Sequence, residues 1–365
     1  MKVSLARSEF ADALSVISKG LSSRTTLPIL SGVLFTAGDD GLMLYSTDLD
    51  VSVKTKVEAR IDEKGSAVLP GRLLGDIVRS LGEAAVSIET DGHSARITCG
   101  TSSFVLKTLS ADDFPRFPEV SPESEISLTG ETLMSMVQKV TRAVSKDETR
   151  PVLTGVLVEV KDGLATMVST DSYRLCIVET QHHETGEPFN AVIPGRALDD
   201  VSKLASGVER MTIACAQNQV VFRFGESLFV TRRIEGVFPN YRQLLPAEWE
   251  TRITVDKEEL LAAVRRVSLM AQHSAPLRLS VAPEERTLTL SAQTHDVGEA
   301  TEVVEVDCEG QPVEMAFNHT YLADGVAGAE SERITLDITS PMKPGVIRST
   351  EGMAYTYLLM PVRLG

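Results

Sequence analysis

The sequence predicts an α+β fold made of three copies of one domain, each with two helices packed on strand-rich sheets. Two observations support this prediction. First, motifs recur at a nearly constant offset, since Pro28 and Pro151 lie 123 positions apart and Pro70 and Pro194 lie 124 apart. Second, each repeated segment contains the same order of strand and helix patterns. Dividing 365 residues by three gives about 122 per copy, and we expect domains at residues 1–124, 125–250 and 251–365.

The first two copies share four motifs in the same order. These pair residues 27–35 with 150–158, 46–50 with 169–173, 68–72 with 192–196, and 114–115 with 238–239. The third copy is more divergent, with residues 276–279 and 315–319 at the corresponding places. The period is too long for a solenoid repeat of roughly 20–50 residues. Each copy is therefore expected to be a whole domain.

The predicted elements follow one order in every copy. A short alternating strand at residues 3–5 precedes a helix whose apolar face is Phe10, Leu14 and Ile17. Turn signals then separate short strands, and a second helix follows the Pro-Gly-Arg element near residues 73–81 and 197–204. The predicted strands lie at 33–35, 42–46, 85–89, 95–99 and 104–108 in the first copy, and at 156–160 and 165–169 in the second.

The composition limits the classes of function. Asp and Glu number 51 against 36 Lys and Arg, which gives a net charge of −15. This balance argues against a nucleic-acid binder with a uniformly basic face, but leaves room for a local basic patch. The sequence predicts no signal peptide and no membrane span. The four widely spaced cysteines are expected to be reduced thiols of a cytoplasmic protein.

Basic residues recur at matching places on the predicted helices. Arg72 and Arg79 lie seven positions apart on the second helix of the first copy, as do Arg196 and Lys203 in the second copy. Each pair shares one helix face. A solvated surface would explain any single helix. The repetition instead favours positive potential gathered on one side of the molecule.

The remaining helices are expected to differ in charge. Lys139, Arg142 and Lys146 are predicted to share a face of the first helix in the second copy. The first helix of the third copy carries further cations, at positions 257, 265 and 266. In its second helix, His319 and Val326 are expected at the places of Arg196 and Lys203, so this helix should contribute little phosphate contact.

No motif predicts catalysis, a cofactor or a metal. The sequence contains neither a Gly-rich phosphate loop nor a nucleophile elbow. His182 and His183 lie in a polar segment without a suitably spaced third ligand, which favours a surface loop. Asp48 and Asp171 end repeated strands, where Asp commonly caps a turn.

Six segments together closely resemble the bacterial DNA polymerase III beta subunit family, the sliding clamps. They are residues 23–30, 47–50, 170–175, 238–242, 340–344 and 357–364. The resemblance covers the whole chain in order. It implies a cytoplasmic homodimer in which two chains join head to tail and six clamp domains form a ring around duplex DNA. Such a protein is a processivity factor without its own catalytic site.

In a ring of this kind, cations attract phosphates without reading the base sequence. The candidate DNA-contacting residues are Arg24, Arg72, Arg79, Lys139, Arg142, Lys146, Arg196 and Lys203. One departure from related clamps is the pair Asp147 and Glu148, where a polar uncharged residue can stand. These carboxylates are expected to weaken any phosphate contact made by their loop.

The resemblance also implies a cleft between the second and third domains that docks short linear peptides. Expected occupants are the replicative polymerase, the clamp loader, other polymerases and repair proteins. A plain core role remains the alternative for Leu175, Leu358 and Met360. The implied cleft residues are Thr170, Tyr173, Arg174, Leu175, Pro239, Leu244, Met342, Pro344, Leu358 and Met360, with Arg150 and Val152 at the edge.

The implied dimer contact joins the first domain of one chain to the third domain of another. It places Ile77, Phe104 and Leu106 against Leu269 and Met270. Glu299 and Glu302 flank the contact.

Two other functions remain open from the residues alone. An enzyme such as an acidic hydrolase would need a nucleophile–base pair or a metal set. A scaffold that gathers peptides without DNA would give the basic helix faces no role.

Overall fold

A computed structural model describes residues 1–22, 26–182, 187–271, 275–295 and 297–363. Within these residues the chain forms six α-helices and 26 strands in four antiparallel sheets. The α+β prediction is therefore confirmed. The chain divides into two compact units, Met1–Leu133 with Asp200–Arg233, and Met134–Asp199 with Ile234–Gly365. The helices are α1 (Arg7–Ile17), α2 (Gly71–Ser80), α3 (Gly130–Val140), α4 (Gly195–Leu204), α5 (Lys257–Val267) and α6 (His319–Gly328).

The first unit contains two sheets. The five-stranded sheet has the order β5 (Arg60–Glu63), β1 (Lys2–Ala6), β7 (Ala85–Thr90), β8 (Ser94–Cys99) and β9 (Ser102–Lys107). The eight-stranded sheet has the order β10 (Ser124–Leu128), β15 (Met211–Cys215), β16 (Gln219–Phe224), β17 (Ser227–Arg232), β4 (Val51–Val57), β3 (Gly41–Thr47), β2 (Gly32–Gly38) and β6 (Gly65–Pro70).

The second unit contains the other two sheets. The nine-stranded sheet has the order β14 (Phe189–Pro194), β11 (Gly155–Lys161), β12 (Leu164–Thr170), β13 (Arg174–Gln181), β26 (Ala354–Leu359), β25 (Gly345–Ser349), β24 (Arg333–Ile338), β18 (Thr251–Asp256) and β22 (Asp307–Gly310). The four-stranded sheet has the order β21 (Gly298–Glu305), β20 (Thr287–Thr294), β19 (Leu277–Ala282) and β23 (Val313–Phe317).

The apolar face predicted for α1 lies in the core. Phe10, Leu14 and Ile17 are all buried, and the rings of Phe10 and Phe35 meet edge to face at 6.0 Å. Burial of such side chains is the main stabilising contribution of an amphipathic helix. The periodicity of the sequence therefore identified the buried face correctly.

The repeated turn after the third strand has one structure in both copies. Asp48 accepts hydrogen bonds from the amides two and three residues further on, at 3.1 and 2.7 Å. Asp171 makes the equivalent bonds at 3.0 and 3.1 Å. The intervening Leu49 and Ser172 have φ of 80° and 79°, a sparsely populated conformation that the aspartate caps stabilise. The turn-capping interpretation of both carboxylates is confirmed.

The repeated glycine of the Pro-turn motif marks a close approach between strands. A Cβ at Gly32 would lie 2.3 Å from Cγ1 of Val68, and one at Gly155 would lie 2.7 Å from Cγ1 of Val192. Both glycines begin a strand directly after a 3-10 turn. A larger residue would push the neighbouring strand away at the same point of either copy.

Candidate functional site

Three adjacent strands of the nine-stranded sheet build an apolar floor. Leu175 on β13 lies opposite Leu358 on β26, and Leu358 lies opposite Val346 on β25. All three are at most 3% exposed and join Tyr241 in one apolar cluster. Burial supports the core interpretation of Leu175 and Leu358, and a peptide cleft above them stays a prediction.

Exposed apolar side chains lie next to the elements that build this floor. The amide of Met360 donates to the carbonyl of Tyr173 at 2.9 Å, which fixes the two residues side by side at the ends of β26 and β13. Met360 is 42% exposed and Tyr173 is 60% exposed. Leu244 and Met342 are 49% and 64% exposed. Exposed apolar side chains next to a buried apolar floor suit a ligand that buries apolar anchors.

The remaining residues of the predicted cleft differ in burial. Val152 packs on the apolar cluster, and Pro239 is exposed. Pro344 is half-buried just before β25. Thr170 is buried, where its hydroxyl donates to the carbonyl of Arg174 at 2.7 Å. Thr170 is therefore a structural residue, and a docking role for Val152, Pro239 and Pro344 stays a prediction.

Tyr241 belongs to the apolar floor and was not predicted from the sequence. Its hydroxyl donates to Glu159 at 2.7 Å, and Arg242 pairs with the same carboxylate at 2.9 Å. Burial and the nearby Glu159 raise the pKa of Tyr241 above its ordinary value. These bonds hold the 3-10 turn that presents Leu244. The sequence could have indicated Tyr241, because this residue lies in residues 238–242, one of the segments that carried the family resemblance.

Arg174 stabilises the site from within. Its guanidinium donates to Asp171 at 3.0 Å and to Asp324 at 2.5 Å, and it lies 4.2 Å from the centroid of the Tyr321 ring. Burial alone would lower its pKa, but the hydroxyl of Tyr357 and the two carboxylates raise it. The side chain is 11% exposed. Arg174 is therefore a permanently charged support rather than an open cleft wall.

A cavity of about 550 Å³ has Tyr173 in its lining. Its lining includes Arg142, Lys146, Arg150 and Tyr321. Arg150 donates to the hydroxyl of Ser172 at 2.9 Å, which places the arginine beside the positive-φ turn. The predicted position of Arg150 at the edge of the site fits this contact.

The carboxylates of the preceding loop have different surroundings. Asp147 accepts from the hydroxyl and amide of Thr149 and from Arg150, and these bonds lower its pKa. Glu148 is exposed. Since Arg150 already balances Asp147, Glu148 is the carboxylate that can oppose a phosphate near this loop.

The candidate cations fall into distinct groups. Arg72, Arg196 and Lys203 are exposed and form no ion pair within the described part of the chain. Arg79 is also exposed but pairs with Asp76 at 2.5 Å. Arg24 lies outside the described residues.

The predicted shared face of Lys139, Arg142 and Lys146 is wrong. Helix α3 ends at Val140, Arg142 lies in the following 3-10 turn, and Lys146 lies beyond that turn. Lys139 is buried and donates to Glu330, whereas Arg142 and Lys146 are both exposed. The helical spacing that placed the three side chains together does not apply after Val140.

The correspondence expected for the third copy is wrong by one residue. Asn318 accepts from the amides of Thr320 and Tyr321, so it caps the helix and α6 begins at His319. Helices α2 and α4 begin at Gly71 and Gly195. The places of Arg196 and Lys203 are therefore taken by Thr320 and Ala327. The expectation that this helix lacks cations there still holds, because both substitutes are uncharged.

The predicted dimer residues lie at two strand edges and nearby helix ends. Leu269 is 67% exposed, and Met270 and Phe104 are half-buried. Ile77 and Leu106 are largely buried within their own unit. Glu299 is exposed on β21, and Glu302 pairs with Arg266, which lowers the pKa of Glu302. Strands β9 and β21 are edge strands of their sheets.

Among the described residues, no cluster of three or more His, Cys, Asp or Glu side chains fits a metal ion. None of the helices in the described ranges is long and apolar enough to cross a membrane. The four cysteines form no disulfide, and three of them are buried. Repeated copies of one α+β domain, exposed helix cations and an apolar floor point to a protein of the DNA-clamp class.

Comparison with known proteins identifies the family. Residues 1–118, 127–240 and 242–363 match the N-terminal, central and C-terminal domains of the DNA polymerase III beta subunit. The beta sliding clamps of Streptomyces coelicolor and Synechococcus elongatus are 34% and 32% identical, with 100% of each chain covered. The solved DNA polymerase sliding clamp of Bacillus subtilis superposes with a TM-score of 0.95 at 30% identity, again over 100% of both chains.

The chain belongs to the DNA polymerase III beta subunit family of sliding clamps. Members of this family are processivity factors of replication rather than catalytic polymerase subunits. The boundaries 1–124, 125–250 and 251–365 stay a prediction.

Proposed function

We propose that two chains join head to tail into a closed ring that encircles duplex DNA and keeps the replicative polymerase on its template. One observation carries the proposal. Helices α2 and α4 expose cations at the same second and ninth positions, Arg72 and Arg79 in one and Arg196 and Lys203 in the other. In a ring these side chains would line the hole and attract phosphates of any sequence.

The overall negative charge of the chain is consistent with DNA contact at the exposed helix cations alone. A net charge of −15 leaves most of the surface unfavourable to DNA. The exposed helix cations would then attract the duplex only on the inner face. Retention would come from closure of the ring, so the chain could slide while remaining bound.

The experiment compares one DNA in two topologies. The protein is loaded by its ATP-dependent clamp loader onto nicked circular DNA, and half of the sample is then linearised with a restriction enzyme. We expect the protein to remain on the circle and to leave the linear DNA through its ends. Equal retention on both forms would contradict encirclement, and a scaffold that needs no DNA would remain on neither.

The apolar cleft gives the ring a second activity. The replicative polymerase, the clamp loader, other polymerases and repair proteins would each insert apolar anchors of a short linear motif over the floor of Leu175 and Leu358. The exposed Met360 and Leu244 would close over these anchors. Because the contact uses a short flexible segment, different partners could exchange on one ring. We also propose that the protein acts in the cytoplasm, where bacterial DNA is replicated.

A further inference from the structure

The apolar floor continues across the nine-stranded sheet into a charged pair. Residues that lie directly opposite each other on neighbouring strands share one face of a sheet. Such a row crosses β13, β26, β25, β24 and β18 through Leu175, Leu358, Val346, Asp337 and Arg252. The first three residues belong to the floor, so Asp337 and Arg252 extend the same face in the same line.

A second arginine joins this pair from β25. Arg348 lies two residues after Val346 and therefore points to the same face. The guanidinium of Arg252 donates to both oxygens of Asp337 at 2.6 and 2.8 Å, and Nε of Arg348 lies 3.5 Å from the same carboxylate. The Asp337 side chain is 9% exposed, whereas the two arginine side chains are 34% and 37% exposed. Two partly exposed cations thus share one buried anion.

These three charged residues line a cavity of about 190 Å³ together with Val346 and Trp249. Because Val346 also belongs to the floor, the cavity adjoins the proposed site of the apolar anchors. The Trp249 ring lies 4.6 Å from the guanidinium of Arg252. The backbone on either side of Trp249 is hydrogen-bonded to the end of β24 and to the residue that follows it, each at 2.9 Å. The cavity is therefore a built feature of the sheet.

One carboxylate in the lining opposes the binding of an anion. Glu248 is exposed, and within the described part of the chain it forms no ion pair with either arginine. Water and salt screen an exposed charge more than they screen partly buried ones. The two arginines should therefore dominate the potential inside the cavity.

The corresponding row of the first unit has balanced charges. It crosses β4, β17, β16, β15 and β10 through Ser52, Val230, Val221, Ala214 and Glu125. The first of these residues lies 123 positions before Leu175, which is the offset of the repeat. Arg223, two residues after Val221, takes the place of Arg348 and pairs with Glu125 at 2.9 Å. One arginine has one carboxylate there, whereas two arginines share Asp337 beside the apolar floor.

We propose that Arg252 and Arg348 form a subsite for the carboxylate of an aspartate or glutamate in the docked peptide, next to the residues that anchor over the apolar floor. This inference rests on the proposed peptide docking and names a further part of the peptide that the site recognises. The guanidinium edges that are not turned to Asp337 would donate to the peptide carboxylate, and such charge-assisted hydrogen bonds are stronger than neutral ones.

The sheet geometry sets the position of this carboxylate in the peptide. Neighbouring strands lie about 4.8 Å apart, so Asp337 is about 10 Å from Leu358, which lies two strands away. An extended peptide covers this distance in about three residues, at about 3.3 Å each. The acidic residue is therefore expected about three residues from the anchor that lies over Leu358.

The test measures whether a peptide carboxylate is coupled to Arg348. A labelled peptide with a Gln followed by Leu and Phe anchors is titrated by fluorescence anisotropy, with Asp or Asn three residues before the Leu or three residues after the Phe. Both ends are used because the row sets the distance and not the direction of the peptide. We expect the Asp form to bind about threefold tighter than the Asn form at one end, and the preference to fall as salt is raised.

Substitutions at Arg348 assign the preference to the subsite. Arg348→Gln should abolish the preference for Asp over Asn, and Arg348→Lys should keep most of it, because lysine retains the charge. The ratio of the two peptide affinities is compared within each variant, so a change in absolute affinity does not affect the result. Arg223→Gln, the matched change in the first unit, should retain the full preference.

The outcomes separate the subsite from the peptide docking on which it rests. Equal affinities of the Asp and Asn peptides at both ends, or a preference that survives Arg348→Gln, would overturn the subsite and leave the docking proposal standing. Asn peptides that do not bind the wild type, or that bind it and Met360→Ala equally, would overturn the docking proposal and the subsite with it.

Discussion

Lys139 and Glu330 form an ion pair that fastens the end of α3 to the segment after α6. The lysine side chain is 6% exposed and also donates to Ser135, while Glu330 is 47% exposed. Burial would raise the pKa of Glu330, but the bonds from Lys139 and Ser135 lower it overall. A cation held in this way contributes to stability and is withdrawn from solvent.

Lys139→Ala should therefore reduce stability without changing the salt dependence of DNA binding. Removing the lysine leaves a half-buried carboxylate with fewer partners and opens a small cavity, so we expect a loss of about 1–2 kcal/mol in the free energy of unfolding. Urea unfolding and DNA titrations at several salt concentrations measure the two quantities. Arg196→Ala is the matched control and should show the opposite pattern. If Lys139→Ala lowers the slope of log K for DNA binding against log salt, then Lys139 contacts DNA and the structural interpretation is wrong.

The exposed helix cations should determine how strongly salt weakens DNA binding. Changing Arg72, Arg196 and Lys203 together to Ala should lower the slope of log K against log salt by about 0.9 for each phosphate that is no longer neutralised. Arg79 should contribute less, because Asp76 already balances it. Arg223, half-buried, and Arg278, exposed, are cations on strands that each pair with a glutamate, and they serve as controls for ion-paired cations away from the helices. An unchanged slope in the triple variant would show that these helix faces do not meet DNA.

Much of the fold followed from the sequence because repeats and periodicity are local signals. The buried face of α1 and the capped turns at Asp48 and Asp171 needed only neighbouring residues. Lys139 is instead held in an ion pair with Glu330, which lies 191 positions away in the sequence. No local pattern reports such a partner, so a helix lysine was expected at the surface.

The residues of the candidate site were likewise predictable from the sequence only in part. The segments of the cleft could be identified by resemblance, but the difference between a buried floor at Leu175 and an exposed rim at Met360 arises from strand pairing. The one-residue error in the correspondence expected for α6 had a local cause. Asn318 caps that helix with its side chain, and the pattern of apolar residues alone did not fix the first helical residue.

Met360→Ala should weaken peptide docking. The side chain is 42% exposed beside Tyr173, and its truncation removes one wall of the cleft. For a peptide with a Gln followed by Leu and Phe anchors, we expect a loss of more than about 1 kcal/mol, or about fivefold in affinity. Leu109→Ala, at a residue 44% exposed in the other unit, is the control. Equal affinities for wild type and Met360→Ala would mean that the pocket is misplaced.

Leu269→Glu combined with Met270→Glu should give monomers. The double change replaces apolar surface by two carboxylates beside the acidic residues Glu299 and Glu302, and both interfaces of a two-fold ring would be broken together. Sedimentation velocity measures the outcome, and circular dichroism checks that the fold remains. A dimer that persists at low micromolar concentration would refute this assignment of the interface.

Cys176 should make the protein less stable at alkaline pH. Complete burial raises the pKa of its thiol from an ordinary value near 9 to about 12. Between these values the unfolded chain loses the proton while the folded chain keeps it, so stability is complete below about pH 9 and falls as the pH rises toward 12. Burial likewise raises the pKa of Tyr355, which adds to the same decline. We expect Cys176→Ala to flatten the decline by about 1–3 kcal/mol relative to its own stability at pH 8.

Urea unfolding of the two proteins from pH 8 to 11 measures the difference. Cys308→Ala, at a partly exposed thiol, should change the slope less. If the wild type and Cys176→Ala lose stability in parallel over this range, the Cys176 thiol is not the group whose ionisation limits alkaline stability.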